Sequence, residues 1–236
     1  MRKIMLCVFF VLCLFDVNLY SVDYYKKELN SDSVYMVNED TNMVVVEKNP
    51  DKRRSPASLT KIMTFIIVQE KLQNQDLDNI KIKVSQDVLK LVDPDSSGVK
   101  LKVDEEVSVN NLLKAMLISS SGYAAMVLAD YVGENSIENF VNMMNQKALE
   151  LNCENTHFEN PDGIYHDNQY STTSDMYKIC KFAMSFPDFL DVVNQSECNI
   201  FHDERDPVVT RASPKNSWAY SRSPSVAAAS RQPGAS

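Results

Sequence analysis

Residues 35–47 alternate apolar and polar side chains on either side of Asn38-Glu39-Asp40-Thr41-Asn42, a pattern that predicts two strands joined by a turn. The period then changes. Leu59, Ile62, Met63, Ile66 and Ile67 recur at i, i+3, i+4, i+7 and i+8, which predicts a helix that buries one face and ends near Gln73. Ser55 suits its N-cap and Pro56 its first position. Residues 80–84 read as a short strand, and the Asp-Pro-Asp-Ser-Ser-Gly run over 93–98 reads as a loop. A further helix begins after Ser108, with Leu112, Leu113, Met116 and Leu117 on its apolar face. Helices are also predicted over 124–132, 137–151 and 175–186, with breaks at Gly133 and at Asn160-Pro161. This mixture of elements predicts an α/β or α+β domain.

The chain has 236 residues, room for one good-sized domain or a domain plus a subdomain. Arg2 and Lys3 followed by an apolar run over 4–15 predict an export leader covering residues 1–21. An uncleaved anchor is the alternative, although the run is short for a membrane span. Cys7 and Cys13 fall inside it, which leaves Cys153, Cys180 and Cys198, an odd number that implies no disulfide framework. A formal net charge of −8 argues against nucleic acid as a partner. His157, His166 and His202 are scattered without ligand spacing, so no metal or other cofactor is expected. From residue 202 onward Leu, Ile, Met and Phe vanish while Ser, Ala and Pro accumulate. That composition predicts a disordered or aberrant tail over 202–236, following a domain over 22–201.

Ser58-Leu59-Thr60-Lys61 carries the candidate chemistry. An i, i+3 spacing stacks a hydroxyl and an amine on one helical face. A desolvated lysine loses its proton more readily and can take one from serine. At a helix start, backbone N–H groups and the positive end of the dipole can stabilise an oxyanion. The pattern alone is weak, since Ser97-Gly98-Val99-Lys100 repeats it with no reason to read chemistry there. An ordinary capped helix is the alternative for the first copy.

The longer string, residues 55–64, resembles the active-site segment of the D-alanyl-D-alanine carboxypeptidases, the low-molecular-weight penicillin-binding proteins. Residues 33–49 are similar to that family's opening hairpin. Residues 156–176, with His157-Phe158-Glu159-Asn160-Pro161-Asp162-Gly163 and Tyr170-Ser171-Thr172, resemble its mid-domain landmark. The resemblance implies an α+β, DD-peptidase-like fold: an antiparallel sheet packed by helices, plus a helical subdomain. It implies Ser58 as nucleophile, Lys61 as base, peptidoglycan stem peptides as substrate and β-lactam antibiotics as acylating inhibitors. Peripheral membrane association is a further family expectation, although the tail shows no amphipathic anchor.

The family's second motif, Ser-x-Asn, falls on Ser120-Ser121-Gly122. The resemblance makes Ser120 a proton relay and puts Gly122 at the substrate-binding position, where the asparagine amide is missing. Such a loss costs on the order of 1–3 kcal/mol, about ten- to a hundredfold in rate. A capped helix-to-helix turn is the alternative reading of this serine run. No Lys-Thr-Gly or Lys-Ser-Gly follows, and Lys215-Asn216-Ser217 is the nearest candidate. The domain is therefore expected to stop short of the third motif and the closing strands. Three functions stay open: a serine-type carboxypeptidase, an inactive or weakly wall-peptide-binding relative, and a β-lactamase.

Overall fold

The computed structural model describes residues 29–195, 197–203 and 206–211. The expected leader over 1–21, the tail beyond residue 211 and Lys215-Asn216-Ser217 lie outside the described residues. The chain divides into two units, of which the first contains residues 29–52 and the second runs over 53–211 among the described residues.

In the first unit, β1 (Val34–Asn38) pairs antiparallel with β2 (Met43–Lys48), with a register shift between Met36 and Val37. Asn38 Oδ1 accepts the Thr41 N–H at 3.0 Å and closes the turn. This is the hairpin that the alternation predicts, and β1–β2 is a two-stranded sheet.

The second unit is built around one helix. A 3₁₀ turn (Ala57–Leu59) leads directly into α1 (Thr60–Lys71). The helix was expected to bury one face, yet nine of its 12 residues are buried. The reason is that α1 runs between α3 (Val109–Ile118), α4 (Gly122–Val132), α5 (Ile137–Glu150) and α6 (Thr173–Ala183), so it has no solvent side. Leu59, expected in the core, is instead 39% exposed, because the 3₁₀ turn carries it outside the helical period. Ser55 forms no cap either; the 3₁₀ turn starts from Pro56 without a side-chain cap, and Leu59 N–H donates to Pro56 O at 3.1 Å.

Phe65 of α1 anchors the core against Phe189, at 5.0 Å between ring centres, and Phe186. Phe189 belongs to α7 (Pro187–Val193), which opens on a proline. The helix predicted over 175–186 is α6, which ends at Ala183, and α7 is an additional helix beyond that range, which Pro187 can start at its first position. Fully buried Leu112, Leu113, Met116, Leu128, Met144, Phe140, Phe158 and Ile179 complete the core. Around it sit α2 (Gln86–Leu91), the short pair β3 (Lys81–Lys83) and β4 (Glu106–Ser108), and a hairpin of β5 (Glu197–Asp203) with β6 (Asp206–Arg211). The hairpin runs past residue 201, where the domain was expected to end: β5 reaches Asp203 and β6 continues to Arg211, and the β-branched run Val208-Val209-Thr210 has the propensity to pair.

Candidate active site

Ser58 lies in the 3₁₀ turn and is exposed, whereas Lys61, on the first turn of α1, is only 4% exposed. The two stay adjacent, with Lys61 Nζ 3.4 Å from Ser58 Oγ. An accessible hydroxyl beside a desolvated amine is the arrangement that serine activation requires. Burial pulls the Lys61 pKa down from 10.5 to about 8, and the charge of Asp162 opposes that shift. At neutral pH a useful fraction of the amine is therefore unprotonated.

A second turn holds the pair in place. Lys61 Nζ donates to the backbone carbonyl of Asp162, and Thr64 Oγ1, one turn further along α1, donates to Pro161 O at 2.6 Å. Asn160 Oδ1 accepts the Gly163 N–H at 2.8 Å, and Gln169 Oε1 accepts the N–H groups of Glu159 and Asn160. Gly163 has φ +84°, and a Cβ there would stand 2.0 Å from Ala57 O and 3.1 Å from Ser58 N. The turn and the nucleophile segment are thus in backbone contact, which only glycine permits. Ala57 itself has φ +47°, a left-handed value rare for a residue with a side chain, directly beside Ser58.

Ser120 sits in the turn between α3 and α4 with φ +60°. Its Oγ is buried without a hydrogen-bond partner, while its carbonyl accepts from Ser97 Oγ at 3.2 Å. Ser121 is the cap: its Oγ accepts from Ala124 N at 3.2 Å and donates to Val99 O. The serine run therefore combines a capping residue, Ser121, with a hydroxyl on Ser120 that has no partner. Gly122 opens α4, buried beside Ser96 and Asp162. The structure joins Ser58 to Lys61 directly and brings Gly122 to the turn that holds Lys61; Ser120 shares no direct contact with Ser58 or Lys61 among the described hydrogen bonds.

Sequence reasoning assigned no role to Ser96, Pro161, Asp162 or Gly163. Asn160-Pro161 was legible as a break between elements, but its place against α1 rests on contacts about a hundred residues apart in sequence. Among the described residues no group of three or more His, Cys, Asp or Glu side chains could hold a metal ion.

The sequence model of one family, D-alanyl-D-alanine carboxypeptidase, matches residues 21–201. The D-alanyl-D-alanine carboxypeptidase DacF of Bacillus subtilis is 35% identical over 171 residues, covering 67% of this chain and 42% of the relative. The D-alanyl-D-alanine carboxypeptidase DacC of Escherichia coli is 39% identical over 140 residues, 56% of this chain and 34% of that protein. Among solved structures, the R248L mutant of the Streptomyces K15 DD-transpeptidase superposes with a TM-score of 0.74 at 29% identity, covering 82% of this chain and 78% of that one. The DacD carboxypeptidase of Francisella tularensis gives 0.68 at 34% identity, over 77% of this chain and 43% of that one. The chain thus spans less than half the length of the Bacillus subtilis and Escherichia coli relatives.

Proposed function

This chain belongs to the D-alanyl-D-alanine carboxypeptidase family, and from that premise we propose that it is a serine-type carboxypeptidase removing the terminal D-alanine of peptidoglycan pentapeptides. The observation that carries the proposal is the exposed Ser58 hydroxyl 3.4 Å from the buried Lys61 amine. Ser58 Oγ attacks the carbonyl carbon of the D-Ala-D-Ala bond as its proton passes to neutral Lys61 Nζ. The tetrahedral intermediate collapses with cleavage of the C–N bond, and the proton reaches the departing amine of D-alanine. The acyl-enzyme on Ser58 is then hydrolysed by water, which regenerates the hydroxyl. Ser120, with its buried and unpaired Oγ, is the candidate relay between Lys61 and the leaving amine.

β-lactams would acylate the same serine and be trapped. The leader expected over residues 1–21 supports export, so that the enzyme would act outside the cytoplasm, at the wall and in the maintenance of cell shape. A membrane-surface association, expected from the family resemblance, belongs to the same proposal. The test is D-alanine released from a pentapeptide ending in D-Ala-D-Ala, compared with Ser58→Ala. Release abolished by the substitution supports the reading, and equal rates from the two proteins sink it.

A second reading, a relative that binds wall peptides without turnover, is favoured by Gly122, which supplies no amide to the substrate. Binding of the pentapeptide with no D-alanine released would select it.

A further inference from the structure

Gly122 stands where the resemblance asks for an asparagine, and the space beside it is already occupied. A Cβ at position 122 would lie 2.7 Å from both Cβ and Oγ of Ser96 and 3.1 Å from Oδ2 of Asp162. Those two side chains come from loops 66 residues apart, and Ser96 Oγ donates to Asp162 Oδ2 at 3.0 Å. Both are buried, Ser96 at 8% exposure and Asp162 at 5%. A carboxylate so buried persists only when its oxygens find donors, and the second oxygen, Oδ1, accepts the Ile164 N–H at 3.3 Å.

The same residue holds the base. The Asp162 carbonyl accepts from Lys61 Nζ, and the preceding carbonyl, of Pro161, accepts from Thr64, so the turn grips α1 at two successive points. The side chain held by Ser96 and the carbonyl that accepts from the amine belong to one residue, so the bonds to the side chain also restrain the backbone that carries the carbonyl. Among the described residues, Asp162 is also the charged group that acts on Lys61.

We propose that the Ser96–Asp162 side-chain pair is the positioning device for Lys61 in this chain, filling the volume that an asparagine at position 122 would need and fixing the carbonyl that holds the amine. The proposal rests on the reading of Ser58 and Lys61 as nucleophile and base. It makes Gly122 a consequence of the pair rather than a lesion: Ser96 and a side chain at 122 exclude one another. A purely structural Asp162, closing its own turn through Ile164, would affect stability and leave the titration of Lys61 unchanged. The two roles separate on that point.

The experiment is the pH dependence of acylation by a fluorescent penicillin, measured on the full chain for wild type, Asp162→Asn and Ser96→Ala. Asp162→Asn keeps the size and an acceptor oxygen but removes the charge. The midpoint of its acid limb is expected about one unit below that of the wild type, the smallest shift typical of a neighbouring opposite charge. Ser96→Ala frees the carboxylate and is expected to lower the plateau rate at least roughly threefold in protein shown to be folded by circular dichroism. Coincident midpoints for wild type and folded Asp162→Asn overturn the proposal. If Asp162→Asn does not fold, a Ser96→Ala plateau within about twofold of wild type overturns it. A wild-type chain that takes no label overturns the reading of Ser58 itself, and the proposal with it.

Discussion

Replacing Gly163 by alanine probes how tightly the nucleophile is held. The new Cβ would fall 2.0 Å from Ala57 O and 2.5 Å from Ala57 C, on backbone that cannot rotate away as a side-chain tip could. The first distance is roughly 1.5 Å short of ordinary contact. The φ of +84° adds strain of about 1 kcal/mol for any residue with a Cβ. The clash is relieved only by sliding the Ala57–Ser58 backbone away from the turn that holds Lys61. A displacement near 1 Å at a reacting group costs about a hundredfold in rate. Gly163→Ala is therefore expected to acylate roughly a hundredfold more slowly, with a melting temperature lower by about 4–8 °C if the combined cost reaches about 2 kcal/mol. Gly133→Ala is the control, because its Cβ would meet Ser136 O at 2.3 Å, a comparable backbone clash at the C-terminal end of α4 rather than at the nucleophile turn. It should lose stability but acylate normally while folded. The assay is the second-order rate with a fluorescent penicillin at pH 9, well below either melting point, alongside circular-dichroism melts. Acylation by Gly163→Ala within threefold of Gly133→Ala would refute the reasoning.

Three further predictions follow from the same site. With Lys61 titrating at about 8, acylation should rise roughly tenfold per pH unit below that value and level off above it; a rate flat from pH 6 to 9 would contradict the assignment of Lys61 as base. Because the folded pKa of about 8 lies below 10.5, the unfolded state binds more protons between those values, so Lys61 makes stability rise with pH across that window. The gain is on the order of 3 kcal/mol relative to Lys61→Met, read from urea unfolding at pH 8 and 10.5; parallel curves for the two proteins would contradict it. Ser120→Ala removes a buried hydroxyl that has no partner, so stability should hold or rise by about 1 kcal/mol while acylation falls roughly ten- to a hundredfold. Unchanged acylation would leave Ser120 as part of a helix connection.

The first hairpin was legible because alternation and a polar turn specify a strand pair locally. The α3 and α5 helices were legible for the matching helical reason, as amphipathic periods opened by Ser108 and Ser136, each of which accepts an N–H bond as the cap. The setting of α1 was not legible. Its buried Thr60, Lys61, Thr64 and Gln69 read as a polar face, and only the four surrounding helices hide them. The β5–β6 hairpin was obscured by the polar composition around it, and β4 by being three residues long. At the site, Ser58 and Lys61 were legible because their pairing is an i, i+3 event. Asp162 and Ser96 were not, since they reach Lys61 and Gly122 across 101 and 26 positions, distances that no local pattern encodes.

The central claim is that Ser58 and Lys61 form a working nucleophile, and intact-mass analysis after incubation with benzylpenicillin tests it most directly. The account predicts one stoichiometric adduct on the folded chain and none on Ser58→Ala. A folded wild-type chain that stays at its unmodified mass after prolonged incubation at pH 9, where Lys61 is mostly neutral, would contradict it.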